Sequence, residues 1–209
     1  MKTRGSYLIL ITLALVLCAT ISHADIIGIN YGDDGDGALV CSNINWSGSS
    51  PAVDLNMSGN LYWAPGHLLA DVTASDSSDP TLKINNSIEN STSFAWTQFL
   101  VNLTMGVPFT VTNVTVSIPV DWSVVSFDAT ANWTGSNYLA TVVYDTGTPI
   151  PNDGISTIDF GYWVVFSGSP SYQLCQEFVV VPEPSTIVLV AVGGIGLLGL
   201  ASRRRRQRS

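Results

Sequence analysis

Apolar and polar residues alternate with a period of two through most of the chain. The alternation is plain at Val53, Leu55 and Met57, at Phe109 and Val111, at Val114, Val116 and Ile118, and at Ile158, Phe160, Tyr162, Val164 and Phe166. An apolar residue at every second position marks a strand with one buried face. Between Val111 and Val114 the apolar set changes face, which predicts a bulge or bend near Asn113. Turn-forming clusters at 32–37, 47–51, 64–66, 75–80, 85–93, 146–154 and 167–170 separate the runs. About nine or ten strands follow, with no amphipathic helix among them. The fold class predicted for residues 25–181 is all-β, a single antiparallel β-sandwich or jelly roll. Those 157 residues are enough for one core.

Two segments are apolar without alternating. Residues 1–24 open on Lys2 and Arg4, run through the apolar stretch 7–20 and close on Ser22-His23-Ala24. A basic start, a short apolar middle and a small-x-small close predict a secretory signal peptide, cleaved before Asp25. Leu17 stands before Cys18, where a lipoprotein signal needs a small residue. Residues 186–201 carry no charge and are followed by Arg203, Arg204, Arg205, Arg206 and Arg208. At 1.5 Å per residue the segment spans about 24 Å, and bilayer thinning and snorkelling arginines make up the remainder. A transmembrane helix is predicted over 186–201, with the arginine cluster cytoplasmic and the bulk of the chain outside.

Charge sharpens this picture. Residues 25–181 hold fifteen acids, one Lys and no Arg, a net charge of −14. Such a surface repels polyanions, which excludes nucleic acid as a partner, and it offers no arginine to clamp phosphate. Asn, Ser and Thr make up 46 of the 157 residues, so the outward faces are polar without being charged. Seven Asn-x-Ser/Thr sequons fall at Asn45, Asn56, Asn85, Asn90, Asn102, Asn113 and Asn132, all expected to face outward.

Just before the C-terminal apolar run stands Val181-Pro182-Glu183-Pro184-Ser185. Two prolines around one acid make a stiff, extended segment, accessible to a processing enzyme. The order Pro-Glu-Pro, short glycine-rich apolar helix, arginine cluster resembles the PEP-CTERM sorting signal of Gram-negative bacteria. The resemblance covers 181–209 and implies recognition by exosortase, a membrane-embedded cysteine transpeptidase, with transient anchoring in the inner membrane and delivery to the envelope or the extracellular matrix. It further implies a host that makes exopolysaccharide, and often glycosylation of the exported chain. The same tail is also labelled an ice-binding protein C-terminal domain, a label that describes the tail alone. Residues 94–105, with Pro108-Phe109-Thr110 and Asp121-Trp122, resemble small PEP-CTERM proteins of unassigned role. The predicted parts are therefore a signal peptide (1–24), an extracytoplasmic β domain (25–181) and a sorting signal (182–209).

Candidate chemistry is sparse. Cys41 and Cys175, the two cysteines beyond the signal peptide, predict a disulfide in an exported chain, with two unpaired buried thiols as the alternative. His67 is the one histidine outside the signal peptide and is expected in a surface turn or at a strand entry. With no Gly-x-Ser-x-Gly elbow and no second histidine, the domain is read as non-enzymatic. Fifteen carboxylates make a glycosidase pair uninformative. Asp33, Asp34 and Asp36 sit among glycines, either as oxygen ligands for Ca²⁺ bracing the first hairpin or as a solvated turn. Trp46 and Trp133, each in Asn-Trp-Ser/Thr near a turn, are the candidates for exposed aromatics that stack on sugars of an exopolysaccharide. Thr-x-Thr pairs are limited to a few, such as Thr110/Thr112 and Thr146/Thr148, too few for a flat ice-binding array. Exported surface or biofilm-matrix protein is the reading these features favour, with a lectin-like module as the alternative.

Overall fold

The computed structural model describes residues 26–49, 52–74, 80–166 and 171–183. The predicted signal peptide, Pro184, Ser185, the apolar run 186–201 and the arginine cluster lie outside the described residues. Twelve strands form: β1 (Ile26–Asp33), β2 (Leu39–Ser49), β3 (Ala52–Leu61), β4 (Gly66–Ala74), β5 (Thr81–Asn90), β6 (Trp96–Met105), β7 (Phe109–Ile118), β8 (Ser123–Phe127), β9 (Asn132–Trp133), β10 (Tyr138–Ile150), β11 (Thr157–Phe166) and β12 (Ser171–Pro182). No helix occurs among the described residues. The described residues are all-β, in two sheets.

The first sheet runs β1-β4-β12-β6-β10-β8, with β9 paired to β10, and the second runs β2-β3-β5-β11-β7. Alternation decides which face is covered. In β3 the buried positions are Val53, Leu55, Met57, Gly59 and Leu61, and in β6 they include Phe99, Val101, Leu103 and Met105. The two apolar faces share one core. Its middle is aromatic: the Phe160 ring lies 5.3 Å from Phe99, 5.1 Å from Tyr144 and 6.1 Å from Phe178, so one side chain of the second sheet touches three strands of the first. A buried polar contact also joins the sheets, where Gln176 Oε1 accepts hydrogen bonds from Asn86 Nδ2 at 3.0 Å and from the Tyr162 hydroxyl.

Apart from β2–β3, β8–β9 and β9–β10, successive strands lie in different sheets, and this fixes where the connections emerge. The β1–β2, β3–β4, β5–β6, β7–β8 and β10–β11 connections all leave at one end, the end at which Pro182 of β12 pairs with Trp96 at the start of β6. We call this the exit end.

Four expectations need correction. Twelve strands replace nine or ten, because β8 and β9, five and two residues long, are too short to show a period. The sheets are not wholly antiparallel: β3 and β5 run parallel, since β4 crosses to the other sheet between them and the chain reverses twice. Asn90, expected outward, is fully buried, its Nδ2 donating to Phe94 O and Ile150 O while its Oδ1 accepts from Thr92. It closes the β5–β6 turn, a demand that a sequon pattern does not register. The expected disulfide is absent, as Cys41 and Cys175 are both free. Cys175 alternates with the buried Leu174 and Gln176 and so lies on the outer face of the first sheet, while Cys41 packs toward the core from β2 of the second. The bend at Asn113 is present, with φ of 49° and a register shift opposite Gly161 and Trp163. Asn tolerates that left-handed conformation better than most residues do.

Because Phe160 touches both layers, Phe160→Ala is expected to cost about 3–5 kcal/mol. Urea unfolding checks this: the midpoint falls while the slope stays near that of the parent.

Candidate functional site

The outer face of the second sheet carries a shallow groove of about 340 Å³, lined among others by Asn56, Ser58, Asn85, Ser87, Thr115 and Asp159. Pairing registers place these residues in rows. Asn45, Asn56, Asn85 and Gly161 follow one another across β2, β3, β5 and β11. The three amides bond in series, Asn56 Nδ2 to Asn45 Oδ1 at 3.3 Å and Asn85 Nδ2 to Asn56 Oδ1 at 3.0 Å. Gly161 forms the floor. A Cβ there would lie 2.9 Å from both Asn85 Oδ1 and Ile84 O, so any side chain would collide with the groove wall. In the neighbouring row Ser87 Oγ donates to Asp159 Oδ1.

Trp163 stands two residues beyond Gly161 on the same face, 39% exposed. The ammonium of Lys83 lies 4.9 Å from its ring centroid, a cation–π contact that holds the indole beside the groove. Sequence reasoning missed Trp163. The signal was there: it is out of phase with Tyr162 and Val164, an aromatic on the polar side of an alternating strand. Trp46 and Trp133 are exposed as expected, 37% and 57%. Neither adjoins the groove: Trp46 pairs with the core residue Leu55 on the edge strand β2, and Trp133 in β9 lies 5.0 Å from the Tyr138 ring.

Across the outer face of the first sheet runs a row of bonded polar side chains. His67 Nδ1 meets Asp34 Oδ2 at 3.0 Å and its Nε2 lies 3.7 Å from Glu177 Oε1. Asn102 Nδ2 donates to Glu177 Oε2 at 2.7 Å, and Thr141 Oγ1 donates to Asn102 Oδ1 at 3.0 Å. The row joins the β1–β2 turn to β4, β12, β6 and β10. His67 is the second residue of β4, the strand-entry position expected, and takes part in a network.

The three acids of the β1–β2 turn separate in role. Asp33 accepts from Gly35 N at 3.1 Å and Cys41 N at 3.3 Å, tying the turn to the start of β2 as the chain crosses between the sheets. Asp34, Asp36 and His67 bring one ligand atom each within 4.8 Å of one another. One imidazole and two carboxylates suit a borderline divalent ion better than Ca²⁺, which prefers oxygen alone. Desolvation raises the Asp34 carboxyl, but hydrogen bonds from Asp36 and the field and hydrogen bond of His67 outweigh it and hold the group below its ordinary value.

At the chain's far end the Pro-Glu-Pro segment begins inside the fold. Val181 pairs with Gln98 and Pro182 with Trp96. Glu183 N donates to Ala95 O at 3.1 Å, and Thr97 Oγ1 donates to Val181 O at 3.3 Å. The last strand thus continues past Val181 to Pro182, so the first residues of the sorting segment lie within the sheet. Residues 180–206 match the family model of the PEP-CTERM protein-sorting motif. The chain carries a PEP-CTERM sorting signal. No curated protein and no solved structure matches the chain. The signal is recognised by exosortase and implies export, with transient membrane anchoring before placement in the envelope or outside the cell.

Two thiols in an exported chain without a partner each must be protected in another way. Burial and the charge of Asp33 push the Cys41 thiol up to about 11, and burial with Glu177 and Asp34 raises Cys175. Raised values mean the fold favours the neutral thiol. Its stabilising contribution is full below 9.0, the ordinary value, and is lost as pH rises from there through about 11. Both cysteines are expected to alkylate with iodoacetamide at pH 7 far more slowly in the folded chain than in urea. Stability is expected to fall from pH 9 to 11 less steeply in Cys41→Ser than in the parent. Mass spectrometry and pH-dependent urea melts check the two statements.

Proposed function

We propose that this exported, exosortase-sorted chain is a non-enzymatic surface or matrix component, a β-sandwich that holds polysaccharide in the groove beside Trp163. The observation that carries the reading is the pairing of an exposed indole with a row of uncharged amides and hydroxyls on one flat face. Sugars present hydroxyls that exchange hydrogen bonds with Asn and Ser, and apolar C–H faces that stack on an aromatic ring. The groove supplies both within one sheet. Its single carboxylate, Asp159, already accepts from Ser87. Glycoside hydrolysis ordinarily takes two carboxylates flanking the bond, so the groove suits holding a glycan rather than cutting it.

The acidic domain favours a neutral glycan, because a polyanionic one would meet a net charge of −14 across residues 25–181. Isothermal titration of the full chain in detergent with neutral oligosaccharides from the host's exopolysaccharide tests this. Trp163→Ala is expected to weaken binding about tenfold, equivalent to ~1.4 kcal/mol, with Asn85→Ala close behind. Trp46→Ala and Trp133→Ala are expected to bind as the parent does. Loss confined to those two variants, or no binding by the parent, contradicts the reading.

A further inference from the structure

The exit end is rich in bare apolar side chains. Tyr62 and Trp63 are exposed in the β3–β4 connection, Ile118 and Val120 flank Pro119 at the β7–β8 connection, and Ile155 stands in the β10–β11 connection. Val120 is 93% exposed and Ile155 79%, the highest values for large hydrophobic residues among the described ones. Ile118, Ile155, Pro119, Pro149 and Pro151 line a single apolar cleft of about 360 Å³. Among the described residues nothing covers them, and a collection of this kind marks a surface that meets something apolar.

Where the chain goes next says what that is. Glu183 leaves beside Ala95, and β12 stands between β4 and β6 in strand order, so the exit point has Trp63 to one side and Ile155 to the other. Only Pro184 and Ser185 separate Glu183 from the uncharged run that starts at Thr186. Three extended steps cover about 10 Å. An anchored chain therefore cannot hold its exit end farther than that from the bilayer.

We propose that, while anchored, the exit end rests on the membrane, with Val120, Ile155 and Ile118 in the interfacial layer and Tyr62 and Trp63 at headgroup level. Tyr and Trp favour that layer because their rings are apolar at one end and wet at the other. The charges nearby are acidic, so apolar burial and not attraction to anionic headgroups drives the contact. Of the carboxylates at this end, Asp121 accepts from Thr148 N of β10 at 2.6 Å and Asp153 from Ser156 N at 2.8 Å within its own connection, so both are held against backbone N–H groups. A domain seated in this way presents the sorting motif at a set depth to a membrane-embedded enzyme. The inference rests on the membrane anchoring that the sorting signal implies.

The full chain, reconstituted into phosphatidylcholine vesicles, tests it. Flotation with the vesicles reads the anchoring itself. A photo-crosslinking phenylalanine analogue placed singly at positions 120, 155 and 163 then reads the seating. Lipid adducts at 120 and 155, with none at 163 on the far face of the second sheet, are expected. In a second arm, Val120→Asp/Ile155→Asp in the floated chain is expected to make residues 62–63 more accessible to hydrogen exchange. Flotation with no lipid adduct at 120 or 155, or adducts there to a second copy of the chain, overturns the seating while leaving the anchor intact. Failure to float overturns both.

Discussion

Much of this structure follows from the seating of one strand. β12 lies inside the first sheet, paired with β4 along one edge and with β6 along the other, from Ser171 to Pro182. A strand hydrogen-bonded on both edges cannot be withdrawn without opening the sheet, and its side chains Leu174, Phe178 and Val180 lie in the core. The last strand of the domain is therefore among its least dispensable. An exported chain that is to be cut near its C-terminus meets a constraint here: the cut must fall after the strand or the domain loses its middle.

The same seating brings together features that are distant in sequence. It sets Glu177 between His67 of β4 and Asn102 of β6, so the polar row across the first sheet passes through β12. It also sends the chain out of the body between five loops rather than at an edge, which couples the domain closely to the apolar run that follows. The second sheet is different in character. It has no β12 and no histidine, and its outer face is a row of amides and hydroxyls ending at Gly161 and Trp163. One sheet thus faces water with a titratable network and the other with a mostly uncharged platform.

The class of the fold was legible because period-two alternation is a direct consequence of a pleated strand with one covered face, and Phe160 with its neighbours shows it plainly. The sorting signal was legible because its three parts are contiguous in sequence. What could not be read was anything that depends on which strand lies next to which. The parallel pairing of β3 with β5, the row from Asp34 to Thr141 and the separation of Cys41 from Cys175 all arise from sheet order, which no single stretch encodes. Asn90 illustrates the reverse error, a polar residue assigned to water that is fully buried because the β5–β6 turn needs its amide. Trp163 is an exposed indole inside a strand, away from any turn, and only its phase against Tyr162 and Val164 marks it in sequence.

The C-terminal residue of the mature protein, read by intact mass from the host's envelope and medium, tests the central claim most directly. The account predicts a chain that starts at Asp25 and ends at or after Glu183, with β12 and its pairing to Trp96 complete. A mature chain ending before Val181 would contradict the place given to the last strand. A chain running to Ser209 in both fractions would contradict processing at the sorting signal.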